Sequence, residues 1–128
     1  MARGVLDASA VVALLRNEPG AETIEGYLGD AIISAVTLQE VVKAMLVRGF
    51  SVDVVRAMID RLSLEVPAHQ AGDAWTAARF WQATKSKGSG LGDRTRMALA
   101  IAGGLPVITT DKAWSDLSIP GLVVIQAR

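Results

Sequence analysis

Four acidic residues stand where a carboxylate is chemically useful: Asp7, Glu40, Asp93 and Asp111. Carboxylates are hard oxygen ligands, suited to Mg²⁺ or Mn²⁺. Two ionised carboxylates about 4 Å apart repel by roughly 4 kcal/mol at an effective dielectric of 20. Four brought together would raise some of their pKa values and resist ionisation. Divalent cations relieve that repulsion, so a metal-bound cluster is natural and a metal-free one is costly. A second role competes for the same residues. Asp7, Asp93 and Asp111 each stand just before a run of helical pattern, and Thr37-Leu38-Gln39-Glu40 matches the Thr-x-x-Glu capping box. Taken singly, each acid reads as a helix cap. The chemical case rests on the four converging.

The surrounding elements decide where these acids fall. Val5-Leu6 is a short apolar run that ends at Asp7, and Ala8 to Leu15 has helical pattern, stopped by Asn17-Glu18-Pro19-Gly20. Ala21 to Leu28 is a second helical stretch, and Ala31-Ile32-Ile33 is a buried strand by its β-branched content. Thr37 to Val47 is helical, and Ser51 caps a further helix through Leu62. Leu64-Glu65-Val66 is a short strand before Pro67, and Gln70 to about Lys85 is the longest predicted helix. Lys87-Gly88-Ser89-Gly90-Leu91-Gly92 follows as a loop by composition. Asp93 opens a helix to Ala102, Pro106 to Thr109 is a strand, Asp111 to Leu117 a short helix and Leu122 to Ile125 a last strand.

Strands alternating with helices predict an α/β fold with a parallel sheet covered on both faces. No repeat or linker divides the chain, so residues 1–128 read as one domain. Ligands of such sheets bind beyond the carboxyl ends of the strands. Asp7 and Asp111 directly follow strands, and Glu40 lies one helical turn past another. Order alone therefore puts three acids at that edge, whereas Asp93 must reach it from a helix start.

Bulk properties narrow the field. With 51% hydrophobic and 20% charged residues, the chain is a folded globular one. A mean hydropathy of +0.35 is apolar for so small a protein, which points to surface hidden in an oligomer or against a partner. Thirteen basic and 13 acidic residues balance, so any footprint for nucleic acid is local. The absence of cysteine excludes disulfides, thiolate zinc sites and cysteine nucleophiles. Asp7 interrupts the N-terminal apolar stretch too early for a signal peptide, and the run 97–109 is too short to span a bilayer. These features read as a soluble cytoplasmic protein.

Other residues read as structural. His69 is the single histidine and has no Gly-x-Ser-x-Gly elbow to serve. Trp75, Phe80 and Trp81 read as core or interface, and Trp114 as packing against the sheet edge. The loop 88–92 is neither a Walker A sequence nor a dinucleotide fingerprint.

The words around the acids resemble those of PIN-domain ribonucleases of the VapC toxin type. Val5-Leu6-Asp7-Ala8-Ser9-Ala10 is similar to their opening, and Ser34-Ala35-Val36-Thr37-Leu38-Gln39-Glu40-Val41 to their second acidic motif. Leu91-Gly92-Asp93-Arg94, running into the apolar helix, resembles the third, and Leu105 to Trp114 the fourth. Order, spacing and length agree over nearly the whole chain. Gly88-Ser89-Gly90 is more glycine-rich than the family pattern.

The resemblance implies a three-layer α/β/α fold with a central parallel sheet of about five strands. It also implies metal-dependent endonuclease activity on RNA, a toxin–antitoxin setting with an inhibitory antitoxin partner, and a homodimer. In such a site Asp7, Asp93 and Asp111 would hold Mg²⁺ or Mn²⁺, and Glu40 would complete the ring. Ser9 and Thr110 would support the acids or contact phosphate, or else serve helix starts. Arg94, Arg96, Lys112, Lys85 and Lys87 would supply local positive charge for RNA, or else lie as solvated surface. Two rivals remain: a phosphohydrolase using Asp7 as nucleophile, which the Ser9 two residues later disfavours, and a silent module that binds RNA or a partner without cutting.

Overall fold

The computed structural model describes residues 3–85 and 90–128, and the predicted loop residues Lys87, Gly88 and Ser89 lie outside them. Strands β1 (Gly4–Leu6), β2 (Ala31–Ile32), β3 (Val107–Thr109) and β4 (Val124–Gln126) form a sheet in the order β2-β1-β3-β4. All its pairings are parallel, with Val5 opposite both Ile32 and Val107, and Thr109 opposite Gln126. Helices α1 (Ala8–Arg16), α2 (Ala21–Glu25), α3 (Ala35–Val47), α4 (Val52–Asp60), α5 (Ala71–Ala78), α6 (Trp81–Thr84) and α7 (Leu91–Gly103) connect and cover the strands.

Alternation along the strands sends side chains to opposite faces and builds two cores. Leu6 and Ile108 pack with Ala10, Val11 and Ala13 of α1, Ile24 of α2 and Val41 of α3. Val5 and Val107 pack on the other face with Met97 and Ala100 of α7 and with Trp114. Helices therefore lie on both faces of a parallel sheet, the three-layer α/β/α architecture expected. An added Cβ at Gly4 would lie 2.9 Å from Ile108 Cγ1, so glycine is what lets β1 lie beside a fully packed β3.

The sheet has four strands among the described residues rather than about five. The segment predicted as a strand at Leu64-Glu65-Val66 is a single parallel bridge from Glu65 to Ile32. Glu65 still exchanges two backbone bonds with that edge, to Ala31 O at 3.1 Å and from Ile33 N at 3.0 Å. Ser63 on one side has a left-handed φ of 52°, and Pro67 on the other has no N–H, so the extended stretch has no room to lengthen.

Other boundaries moved for local reasons. The long helix expected over 70–85 is two helices, because the chain turns at Phe80 (φ −87°, ψ 8°), whose ring packs into the α7-side core. The second helix stops at Glu25, and a 3₁₀ turn over Leu28–Asp30 leads into β2. The last strand begins two residues late because Leu122 N is taken by Ile119 O in a turn. After β3 the expected short helix is a 3₁₀ segment, Lys112–Asp116. Among the described residues no helix is long and apolar enough to cross a membrane.

Candidate active site

The four parallel strands deliver their carboxyl ends to one edge, and Asp7 leaves β1 there. Its side chain is 2% exposed and caps α1, with Oδ1 accepting from Ala10 N at 2.9 Å and from Ser9 Oγ at 2.7 Å. The other oxygen, Oδ2, accepts a short bond from Thr109 Oγ1 at the end of β3. Burial pushes the Asp7 carboxyl above its ordinary range. The bonds from Thr109, Ser9 and Ala10, and the charge of Arg96, oppose that shift without overcoming it.

Asp111 joins the same network through backbone. Its N–H donates to Thr109 Oγ1 at 2.9 Å, while its carboxylate accepts from Ala113 N at 3.0 Å and caps the 3₁₀ segment. Ser9 Oγ also accepts from Thr110 N at 3.1 Å. The expectation for Ser9 thus finds a concrete contact with Asp7. The neighbouring contact comes from Thr109 rather than Thr110, whose own Oγ1 is buried without a protein partner.

Glu40 and Asp93 do not cap helices. Ser34, not Thr37, caps α3, accepting from Thr37 N at 2.9 Å, so the expected capping box is absent. Gly90 precedes α7, which places Asp93 third in its first turn instead of ahead of it. A carboxylate there still faces the positive end of the helix dipole. Both side chains turn to one guanidinium. Arg96 Nη1 donates to Glu40 Oε1 at 2.7 Å and to Thr37 Oγ1 at 3.1 Å, and Nη2 pairs with Asp93 Oδ1.

Arg96 is 4% exposed, so it is not the surface contact for RNA that its charge first signified. Its guanidinium carbon lies 5.9 Å from the centre of the Trp114 ring, which is itself buried as expected. Burial alone would lower the Arg96 pKa, but the carboxylates of Asp93, Glu40 and Asp7 outweigh it and raise the value. One guanidinium thus pairs with Glu40 and Asp93 and lies within electrostatic reach of Asp7. Among the described residues, no three acids converge as a finished metal cage.

Gly92 explains how Glu40 comes so close to α7. A Cβ there would collide with the Glu40 carboxylate. Gly92→Ala is expected to push Glu40 away and to reduce any activity of the site by about 10- to 100-fold. Displacing Glu40 also takes a partner from the buried Arg96 guanidinium, so the melting temperature should fall, the gain of up to about 1 kcal/mol in helix propensity offsetting part of that loss. Undiminished activity in Gly92→Ala would refute this assignment.

The remaining expected residues sit at the rim. Arg94 follows Asp93 and is half-buried, whereas Lys112 follows Asp111 and is exposed. Lys85 Nζ lies 5.5 Å over the Trp81 ring, and Trp75 and Trp81 are largely exposed rather than part of this chain's core. Sequence reasoning missed Thr37, Thr109 and Gln126. Gln126 is opposite Thr109 on β4, and both atoms of its amide are buried without protein partners. A threonine at a strand end beside a candidate acid was the available signal for Thr109.

A parallel sheet between two layers of helices, with the buried Asp7 at the carboxyl edge of its strands, defines the class of this protein. The PIN domain family model matches residues 4–120, and the chain belongs to that family. Solved structures share the fold. A toxin–antitoxin complex from Klebsiella pneumoniae superposes with a TM-score of 0.75 at 20% identity, covering 98% of each chain. VapBC2 from Rickettsia felis, bound to a DNA fragment from its promoter, gives 0.74 at 16% identity over 97% of this chain and 98% of that one. DNA-bound VapBC from Salmonella typhimurium gives 0.72 at 23% identity over the full length of both. No curated protein matches the chain in sequence.

Proposed function

We propose that this protein is a divalent-metal-dependent endoribonuclease and the toxin of a type II toxin–antitoxin pair, of VapC type. The observation that carries the reading is the buried Asp7 carboxylate, fixed between the ends of β1 and β3 and within electrostatic reach of the Arg96 that pairs with Glu40 and Asp93. Membership of the PIN family and the toxin–antitoxin complexes among its structural relatives support the same conclusion. All described strands share one sheet, which supports treating residues 1–128 as one domain.

The donor set fits a hard cation, since Asp7, Glu40, Asp93 and Asp111 offer only carboxylate oxygens. These four would hold Mg²⁺ or Mn²⁺. Such an ion lowers the pKa of water and stabilises charge on a phosphate. The chain's own residues do the rest. Ser9 and Thr109 fix the Asp7 oxygens from two sides, so the carboxylate needs no reorientation. Arg94 and Lys112 at the rim take the RNA backbone in this reading.

A partner site is also supported. A groove of about 280 Å³ between α3 and α4 has an apolar floor that includes Leu38, Val42, Val55 and Ile59, with Arg56 and Asp60 also among its lining residues. An apolar segment of a cognate antitoxin suits it, and the exposed Val47, Val52 and Val54 nearby suit a homodimer or that same partner. The setting in this reading is the cytoplasm.

The purified chain, free of any partner, is expected to cleave RNA with Mn²⁺ or Mg²⁺ and to stop with EDTA. Asp93→Ala should abolish cleavage. Metal-independent cleavage, or an active Asp93→Ala protein, would overturn the assignment. Metal binding without cleavage of varied RNAs would favour a silent binding module.

A further inference from the structure

We propose that Arg96 is the site's own counter-ion, and that a divalent cation competes with its guanidinium for Glu40 and Asp93. The inference rests on the metal-site reading above. It begins with a buried cation among carboxylates that have other work to do. Nη1 and Nη2 are committed to acids from two different helices, Glu40 of α3 and Asp93 of α7. Thr37, itself bonded by Ser34 Oγ at 3.0 Å, takes a third bond, and Trp114 lies under the plane.

Nε, however, is buried without a partner. A buried arginine built purely for structure is normally satisfied at every donor. The unmet Nε leaves the guanidinium held by its two Nη groups alone. A carboxylate oxygen engaged by Nη has less to offer a metal, and a divalent ion set beside a guanidinium is repelled by it. Binding of the ion at Glu40 and Asp93 therefore requires Arg96 to withdraw.

Two properties follow. The metal-free protein keeps its acids neutralised and its fold intact, where a bare cluster would repel itself. The site also binds metal more weakly than its acids alone would allow, so occupancy follows the supply of free divalent ion.

The test uses the full chain stripped of metal. Calorimetric titration with Mn²⁺ compares the parent with Arg96→Met and Arg96→Lys. Arg96→Met should bind Mn²⁺ at least about tenfold tighter, a difference of about 1.4 kcal/mol. It should also melt lower than the parent without metal and gain more on its addition. Arg96→Lys keeps the charge but cannot bridge two carboxylates, and should also bind tighter than the parent. Its result decides the matter if Arg96→Met does not fold. In a Trp75→Phe/Trp81→Phe background, Trp114 emission should change saturably with Mg²⁺ as the guanidinium leaves the ring. Equal or weaker metal binding in the Arg96 variants, or Trp114 emission unaltered at saturating Mg²⁺, would overturn the competition while leaving the metal site standing. Absence of metal binding in parent and variants alike would overturn the metal reading and this inference with it.

Discussion

Asp7→Asn is expected to cut RNA cleavage by at least about 100-fold while raising the melting temperature at neutral pH. The first effect follows from the proposed role of Asp7 as a metal ligand, where supporting contacts alone are worth about 10- to 100-fold. The second follows from burial. Asp7 is held above its ordinary pKa of 3.8 chiefly because the ionised form is desolvated. Below that ordinary value the carboxyl is neutral in both folded and unfolded chains, and the fold bears no cost. As pH rises, the unfolded chain releases its proton first, so stability falls across the window up to the raised pKa. Above that window the cost is complete. Asparagine keeps an acceptor for Ala10 N and carries no charge. The gain in melting temperature should therefore be largest at neutral pH and fade below the ordinary carboxylate range. Each kcal/mol corresponds to about 4 °C for a chain of this size. Thermal melts of both proteins in metal-free buffer from acid to neutral pH check this, and a gain that does not depend on pH would refute the burial argument.

Thr109→Val should be costly where Thr110→Val is harmless. The Thr109 hydroxyl is fully buried, donates to Asp7 and accepts from Asp111 N. Valine matches its shape but leaves a buried carboxylate and a backbone donor each one partner short, a loss of about 1–3 kcal/mol. The Thr109 bond is also the largest of the influences holding the Asp7 pKa down. Its removal should lift that pKa further and move the acidic limb of the cleavage profile to higher pH. The Thr110 hydroxyl has no protein partner, so its replacement should change stability by less than about 0.5 kcal/mol. Equal losses in the two variants, or an unmoved acidic limb in Thr109→Val, would remove Thr109 from the role of positioning Asp7.

The alternation of strands and helices was legible because apolar runs such as Val5-Leu6 and Val107-Ile108 have no other way to be buried on both sides. The same order put acids at the carboxyl edge of the sheet. Competition between capping and chemistry was not decidable from sequence. The structure divides it: Asp7 and Asp111 do cap, whereas Ser34 and Gly90 take over at the helices carrying Glu40 and Asp93. Helix starts are decided by one or two residues, and Ser34 offered as good a hydroxyl as Thr37. Arg96 was the costliest misreading. At three residues past Asp93 it had the spacing of a helical ion pair. What composition could not reveal is that α3 brings Glu40 and Thr37 to the same point, which turns a surface cation into a buried one. The split of the long helix at Phe80 depends on a distant core, and no local signal marked it.

The bond between Asp7 and Thr109 spans 102 positions of the chain. Its consequence concerns how the protein is made. A polypeptide leaving the ribosome at about 5–20 residues per second carries Asp7 for about 5–20 seconds before Thr109 is synthesised. Throughout that interval β1 lacks β3, its central neighbour, and the first acid lacks the hydroxyl that orients it. A truncated product ending before residue 107 lacks the strand that completes the site. The edge that orders Asp7 thus forms only after nearly the whole chain has been made, so an unfinished copy carries the first acid without the hydroxyl that positions it.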